Sequence, residues 1–136
     1  MWNAQSAIDE AEPVLTAPNV SEAGMDSHWQ AVIRVAEFAE SDPDPLWEFA
    51  RKWGASPDPD LRQAVACCLL VHLLQYHFEY LFPKVEVAVR EDPLFADTFA
   101  GCLEFGQTEQ AENRARFRAL KKELGALDTL GVDDSI

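Results

Sequence analysis

Apolar residues recur at helical spacing through most of this chain. Between Ser27 and Glu40, the residues Trp29, Val32, Ile33, Ala36 and Ala39 fall on one stripe, and the Ser27 hydroxyl suits a helix start. Asp42-Pro43-Asp44-Pro45 ends that element. Leu46, Phe49, Ala50 and Trp53 then follow i, i+3, i+4, i+7, the mark of a second helix, which Gly54 closes. Ser56-Pro57-Asp58-Pro59-Asp60 restarts the pattern, because proline fits a first turn where its missing N–H has no acceptor anyway. The third helix is expected from Pro59 to Leu81. It is apolar almost all round from Ala64 to Leu74, as a helix covered on several sides must be. Pro83 is expected to open a fourth helix through Arg90, and Asp92-Pro93 a fifth through Phe105. A sixth, from Thr108 to Leu124, should bury Ala111, Ala115, Leu120 and Leu124, with Phe117 at the edge of the stripe. No stretch alternates with period two for long enough to form a sheet. The expected fold is therefore all-α, about six helices packed as antiparallel hairpins in a stack or a compact bundle.

A chain of 136 residues suits one domain with one core. Pro13, Pro18 and Gly24 lie among alanines, serines and acids, so residues 1–26 read as a flexible acidic arm with a helical turn near Ala4–Ala11 at most. Residues 27–124 form the helical domain, and residues 125–136, ending Asp133-Asp134-Ser135-Ile136, read as a flexible tail.

One turn carries a family resemblance. Asp58, Pro59, Leu61, Arg62, Ala64, Val65, Ala66 and Leu69 match the order of an Asp/Pro turn, an aliphatic residue with arginine, small residues and leucine. This resembles the inter-helix turn and second helix of a HEAT-type repeat. Weaker echoes occur at Asp42–Leu46 and Asp92–Ala96, without the arginine and at irregular spacing. The resemblance implies stacked helical hairpins and protein–protein binding, and supplies no catalytic residues.

Charge narrows the partners. Acids outnumber basic residues 24 to 11, for a net charge of -13. Phosphate backbones and anionic membrane surfaces are repelled, and a basic protein is attracted. Residues 1–60 hold twelve acids against Arg34, Arg51 and Lys52. The acidic edge formed by Asp42, Asp44, Glu48, Asp58 and Asp60, with Trp47 among them, is the candidate partner-binding site; a broad buried helix face that includes Trp47 is the other reading of that residue. Five basic residues gather at Arg114, Arg116, Arg118, Lys121 and Lys122. A solvated face explains them; a contact with the acidic half, within one chain or across a homodimer, is the alternative.

Chemistry adds little. Cys67, Cys68 and Cys102 are odd in number, and two adjoin in an apolar run, the pattern of reduced thiols in a cytoplasmic protein. The longest apolar run, Ala64 to Val71, is too short to span a membrane, and no signal-peptide pattern opens the chain. His72 and His77 are five apart, about 140° around a helix, so they face different neighbours and are not a metal pair. No metal, cofactor or catalytic motif is expected. The leading expectation is a non-enzymatic binding protein, in concrete form a bacterial immunity protein or antitoxin blocking a basic toxin. An assembly factor or adaptor is the alternative. An enzyme or metal-binding protein with a pocket around His72, Tyr76 and Cys68 comes third.

Overall fold

The computed structural model describes residues 2–22 and 25–128. The all-α expectation holds. Helix α1 spans Ala4–Thr16, α2 Ser27–Ala36, α3 Pro43–Trp53 and α4 Pro59–Val65. A π-helical segment, Ala66–Leu70, continues into α5, Val71–Glu91; α6 spans Pro93–Ala100 and α7 Ala111–Asp128. The only extended pairing among the described residues is a two-residue antiparallel bridge, β1 (Ser21–Glu22) with β2 (Met25–Asp26).

Residues 1–26 correct the expected arm. Asn3 caps α1 by accepting from the Ser6 N–H at 2.8 Å. Ala4, Ala7, Ile8, Ala11 and Leu15 then face the core at i, i+3, i+4, i+7 and i+11. Glu12 secures the helix from its other flank, accepting from Trp53 Nε1 at 2.8 Å and pairing with Lys52 Nζ at 2.6 Å. Pro13 is tolerated near the helix end, where little helix remains to be interrupted.

Helix α2 does start at Ser27, but the Ser27 hydroxyl is turned back, accepting from Val20 N–H and donating to Asn19. Asn19 supplies the cap instead, accepting from the His28 N–H at 3.0 Å. The helix stops at Ala36, short of the expected Glu40, and turns carry the chain to α3. Helices α3, α4 and α6 all begin with proline in the first turn. Asp58 and Asp92 accept from Asp60 N–H and Leu94 N–H at the starts of α4 and α6.

The third and fourth expected helices are one rod, Pro59–Glu91. It bends at His77 (φ −137°, ψ 45°), not at Pro83, which lies six residues farther on inside α5. Distant partners hold the bend. His77 Nε2 donates to Glu40 O at 2.9 Å, and the Phe78 N–H donates to Gln107 Oε1 at 2.9 Å. A proline costs a helix one hydrogen bond, but these contacts place the break elsewhere. The rod is long and apolar enough to match a membrane span, yet its apolar residues are largely core: Leu69, Leu70, Leu73, Leu74, Phe78, Leu81 and Phe82 are sealed from solvent. Helices α2, α3 and α6, a 3-10 turn (Gly106–Glu109) and α7 pack around it.

Helix α6 ends at Ala100 instead of Phe105, and residues 102–105 are neither helix nor strand, with Phe105 in an extended conformation. In α7 the buried positions are Asn113, Phe117, Leu120 and Leu124, while Ala111 and Ala115 are exposed, so Phe117 lies at the centre of the stripe and not at its edge. Its ring meets Phe99 edge-on at 4.9 Å, and Phe78 stacks on Phe82 at 4.5 Å. Residues 125–128 continue α7; the remainder of the expected tail, 129–136, lies outside the described residues.

Candidate partner-binding site

The expected acidic site is divided by the fold. Trp47 is buried, 7% exposed, with its ring edge-on to Phe95 at 5.7 Å; it is core and not a surface anchor. It lies one residue off the Leu46/Phe49/Trp53 stripe because α3 is covered on a broad face by both α5 and α6 side chains. Glu48 points toward α1, beside Gln5, Ile8 and Lys52. Asp58 is occupied as the α4 cap. Asp42 and Asp44 are exposed at the start of α3, and Asp60 is exposed at the start of α4.

Two of these acids mark the ends of a groove between α2 and the rod. At one end Trp29 Nε1 donates to Asp60 at 3.1 Å. At the other, the Tyr80 hydroxyl donates to Asp44 at 2.6 Å. That bond, and then the charge of Asp44, push the Tyr80 phenol up, so it remains a donor. Between the ends lies a cavity of about 400 Å³, walled by Ile33, Ala36, Glu37 and Glu40 on the α2 side and by Cys67, Cys68, His72 and Tyr76 on the rod. The π-helical segment shapes this wall. Its extra residue per turn turns Cys67 and Cys68 partly outward within an otherwise sealed run.

The cavity residues are not primed for nucleophilic chemistry. Burial, and then neighbouring Cys67, push the Cys68 thiol up, which keeps it protonated. The His72 ring nitrogen Nδ1 is bonded to Gln75 Oε1 at 2.9 Å, and His77 is turned away to Glu40. Among the described residues no cluster of three or more His, Cys, Asp or Glu side chains is arranged to hold a metal ion.

Most of the chain's cations are paired away from the groove, although Lys84 lies over the Tyr80 ring at 5.5 Å. Arg34 pairs with Glu10, Lys52 with Glu12, Arg51 with Asp92, Arg62 with Asp97 and Arg90 with Glu123. Arg114 and Arg118 both hold Glu104, and Arg116 reaches Glu79 and Glu86. The three arginines of the basic stretch of α7 are therefore paired within the chain, with acids of residues 79–109 and not with the N-terminal half, while Lys121 and Lys122 take part in no ion pair among the described residues. Among the described residues, no ion pair uses Glu37, Glu40, Asp42, Asp44, Glu48, Asp58 or Asp60.

Sequence reasoning had singled out His72, Tyr76 and Cys68 as a pocket, and the fold brings them together. It had missed Glu37 and Glu40, whose position depends on α2 ending early, and Leu103 and Phe105, which it placed inside a helix. No family model, curated protein or solved structure matches this chain.

Proposed function

We propose that this protein is a non-enzymatic binding module whose α2–rod groove receives a basic protein partner. The observation that carries the reading is that the groove acids Glu37 and Glu40, with Asp44 and Asp60 nearby, have no ion pair, while eight of the eleven arginines and lysines are paired with other acids. Like charges held together on one surface raise the free energy of the lone protein, and a cationic partner relieves it while its approach is accelerated. The Asp58–Leu69 resemblance to a HEAT-type repeat accords with a binding scaffold. In its concrete form the module is an inhibitor of a basic, nucleic-acid-acting toxin, because acids on the groove compete for the surface that would meet phosphate.

The test is capture from native lysate with wild-type bait and with a Glu37→Lys/Glu40→Lys/Asp44→Lys bait, at low and high salt. A basic protein held by the wild type at low salt, released by salt and ignored by the reversed bait supports the reading. Equal capture by both baits overturns it. A captured nuclease whose activity the wild type suppresses identifies the inhibitor form; a non-toxic basic partner identifies an assembly factor.

A further inference from the structure

Leu103 and Phe105 stand 56% and 46% exposed on the segment that follows α6. The residue between them turns inward: Glu104 takes Arg114 Nε at 3.0 Å and Arg118 Nε at 2.9 Å. Lys121 donates to the carbonyls of Ala100 and Cys102 and closes the start of the segment. At its end Gly106 takes φ +57°, with room only for a hydrogen, because a Cβ there would lie 2.3 Å from Gln75 Cγ. Two apolar side chains are thus presented to solvent on a segment fixed at both ends. The ordering that a docking surface usually has to undergo on binding is already complete.

The approach of Gly106 to Gln75 also places this knuckle next to the groove. Gln75 bonds His72 and precedes Tyr76, and both line the cavity. Tyr76 therefore lies between two features of the surface: the acids Glu37 and Glu40, which line the cavity with it, and the knuckle of Leu103 and Phe105, which meets the rod at the adjoining Gln75. Acids and exposed apolar groups thus approach neighbouring positions of the rod.

We propose that the occupant is a basic amphipathic helix of a partner protein, its apolar stripe on Leu103, Phe105 and Tyr76 and its cations toward Glu37, Glu40 and Asp44. This rests on the reading of the groove as a partner site and adds the form of the ligand. A helix presents apolar and cationic positions on adjoining faces, which suits an acidic and an apolar feature side by side. A strand presents them on opposite faces, so one set would look away from the groove. A second copy of this chain is a poor occupant, since Arg114, Arg116 and Arg118 are already paired within it. An anionic membrane is repelled by the acids.

The experiment measures anisotropy of labelled synthetic peptides against the full chain. The probes are a Leu/Lys peptide with helical amphipathic spacing and the same residues reordered to abolish it. Wild type is expected to bind the amphipathic peptide about tenfold or more tighter than the reordered one. Leu103→Ser/Phe105→Ser should erase that preference and keep a salt-sensitive residue of binding. Glu37→Lys/Glu40→Lys should weaken both peptides. All four positions are exposed, and circular dichroism checks that the variants fold. Equal affinity for both peptides, or a preference that survives Leu103→Ser/Phe105→Ser, overturns the helix proposal. In that event, loss of binding on charge reversal alone still sustains the basic-partner reading, and indifference to charge removes both. A wild-type dimer in sedimentation that Phe105→Ser dissolves overturns the assigned occupant in favour of a second copy.

Discussion

Gln107 Oε1 accepts the Phe78 backbone N–H at 2.9 Å, so a side chain from the 3-10 turn caps a helix that restarts 29 residues earlier in the chain. Without it the bend at His77 leaves a buried donor unpaired. Gln107→Ala is expected to cost about 1–2 kcal/mol, in the range of a lost helix cap. Urea denaturation measures it, and a midpoint equal to wild type would show that the bend is held by packing alone.

Glu104 gives the fold an acid sensitivity. The hydrogen bond from Arg118, opposed by partial burial and reinforced by Arg114, holds its carboxyl below the usual value. A carboxyl whose folded pKa is depressed contributes stability that is complete above its unfolded pKa and is lost as pH falls through the folded one. The contribution of Glu104 should therefore fade as pH drops below about 4.5, its ordinary value. Thermal melts of wild type and Glu104→Gln across the acid range should converge as pH falls; a constant gap between them would exclude the linkage.

The three thiols should separate by reactivity. Burial pushes Cys102 up to about 12, with Lys121 opposing it only in part, and the residue is sealed from solvent. Cys67 and Cys68 are half-buried at the groove. Iodoacetamide followed by mass spectrometry should modify those two slowly in native protein and Cys102 only after denaturation. A bound partner should protect the pair, and unchanged labelling in its presence would place the partner away from the groove.

Gly106→Ala should destabilise the protein through two separate effects. The left-handed backbone costs a side chain about 1–2 kcal/mol, and the new Cβ meets Gln75 besides. Denaturation should show at least that loss. The knuckle would shift with the turn, so peptide binding should weaken alongside. A stable Gly106→Ala protein with full peptide affinity would mean that the segment is not held as the geometry requires.

Much of this fold is legible where local chemistry decides. Asp58-Pro59 and Asp92-Pro93 start helices because cap and first-turn preferences need no distant partner. The apolar run through Leu74 declares a covered helix. What escaped reading depends on tertiary contacts. The α1 stripe consists mostly of alanine, which gains little from burial unless a close neighbour exists to meet it. Pro83 signalled a boundary, yet Glu40 and Gln107 set the break at His77. For the candidate site, the acid excess was countable, but which acids remain unpaired depends on where the folded chain delivers its arginines. Trp47 stands among acids in the sequence, and its burial is decided by Phe95, 48 positions on, which covers it. Leu103 and Phe105 became visible only because α6 stops at Ala100.

The π-helical segment Ala66–Leu70 gives the rod a change of phase. Residues before it meet α2, α3 and α6, residues after it meet α3, α6, the 3-10 turn and α7, and the extra residue is what reconciles the two registers. Losing one residue there would leave a regular local helix while rotating everything beyond by about 100°, carrying Leu73, Leu74 and Phe78 off the core together. The length of this stretch is therefore under a tighter constraint than its composition. An exchange of Cys67 or Cys68 for another small residue leaves the register intact; a one-codon deletion breaks the correspondence between the two halves of the molecule.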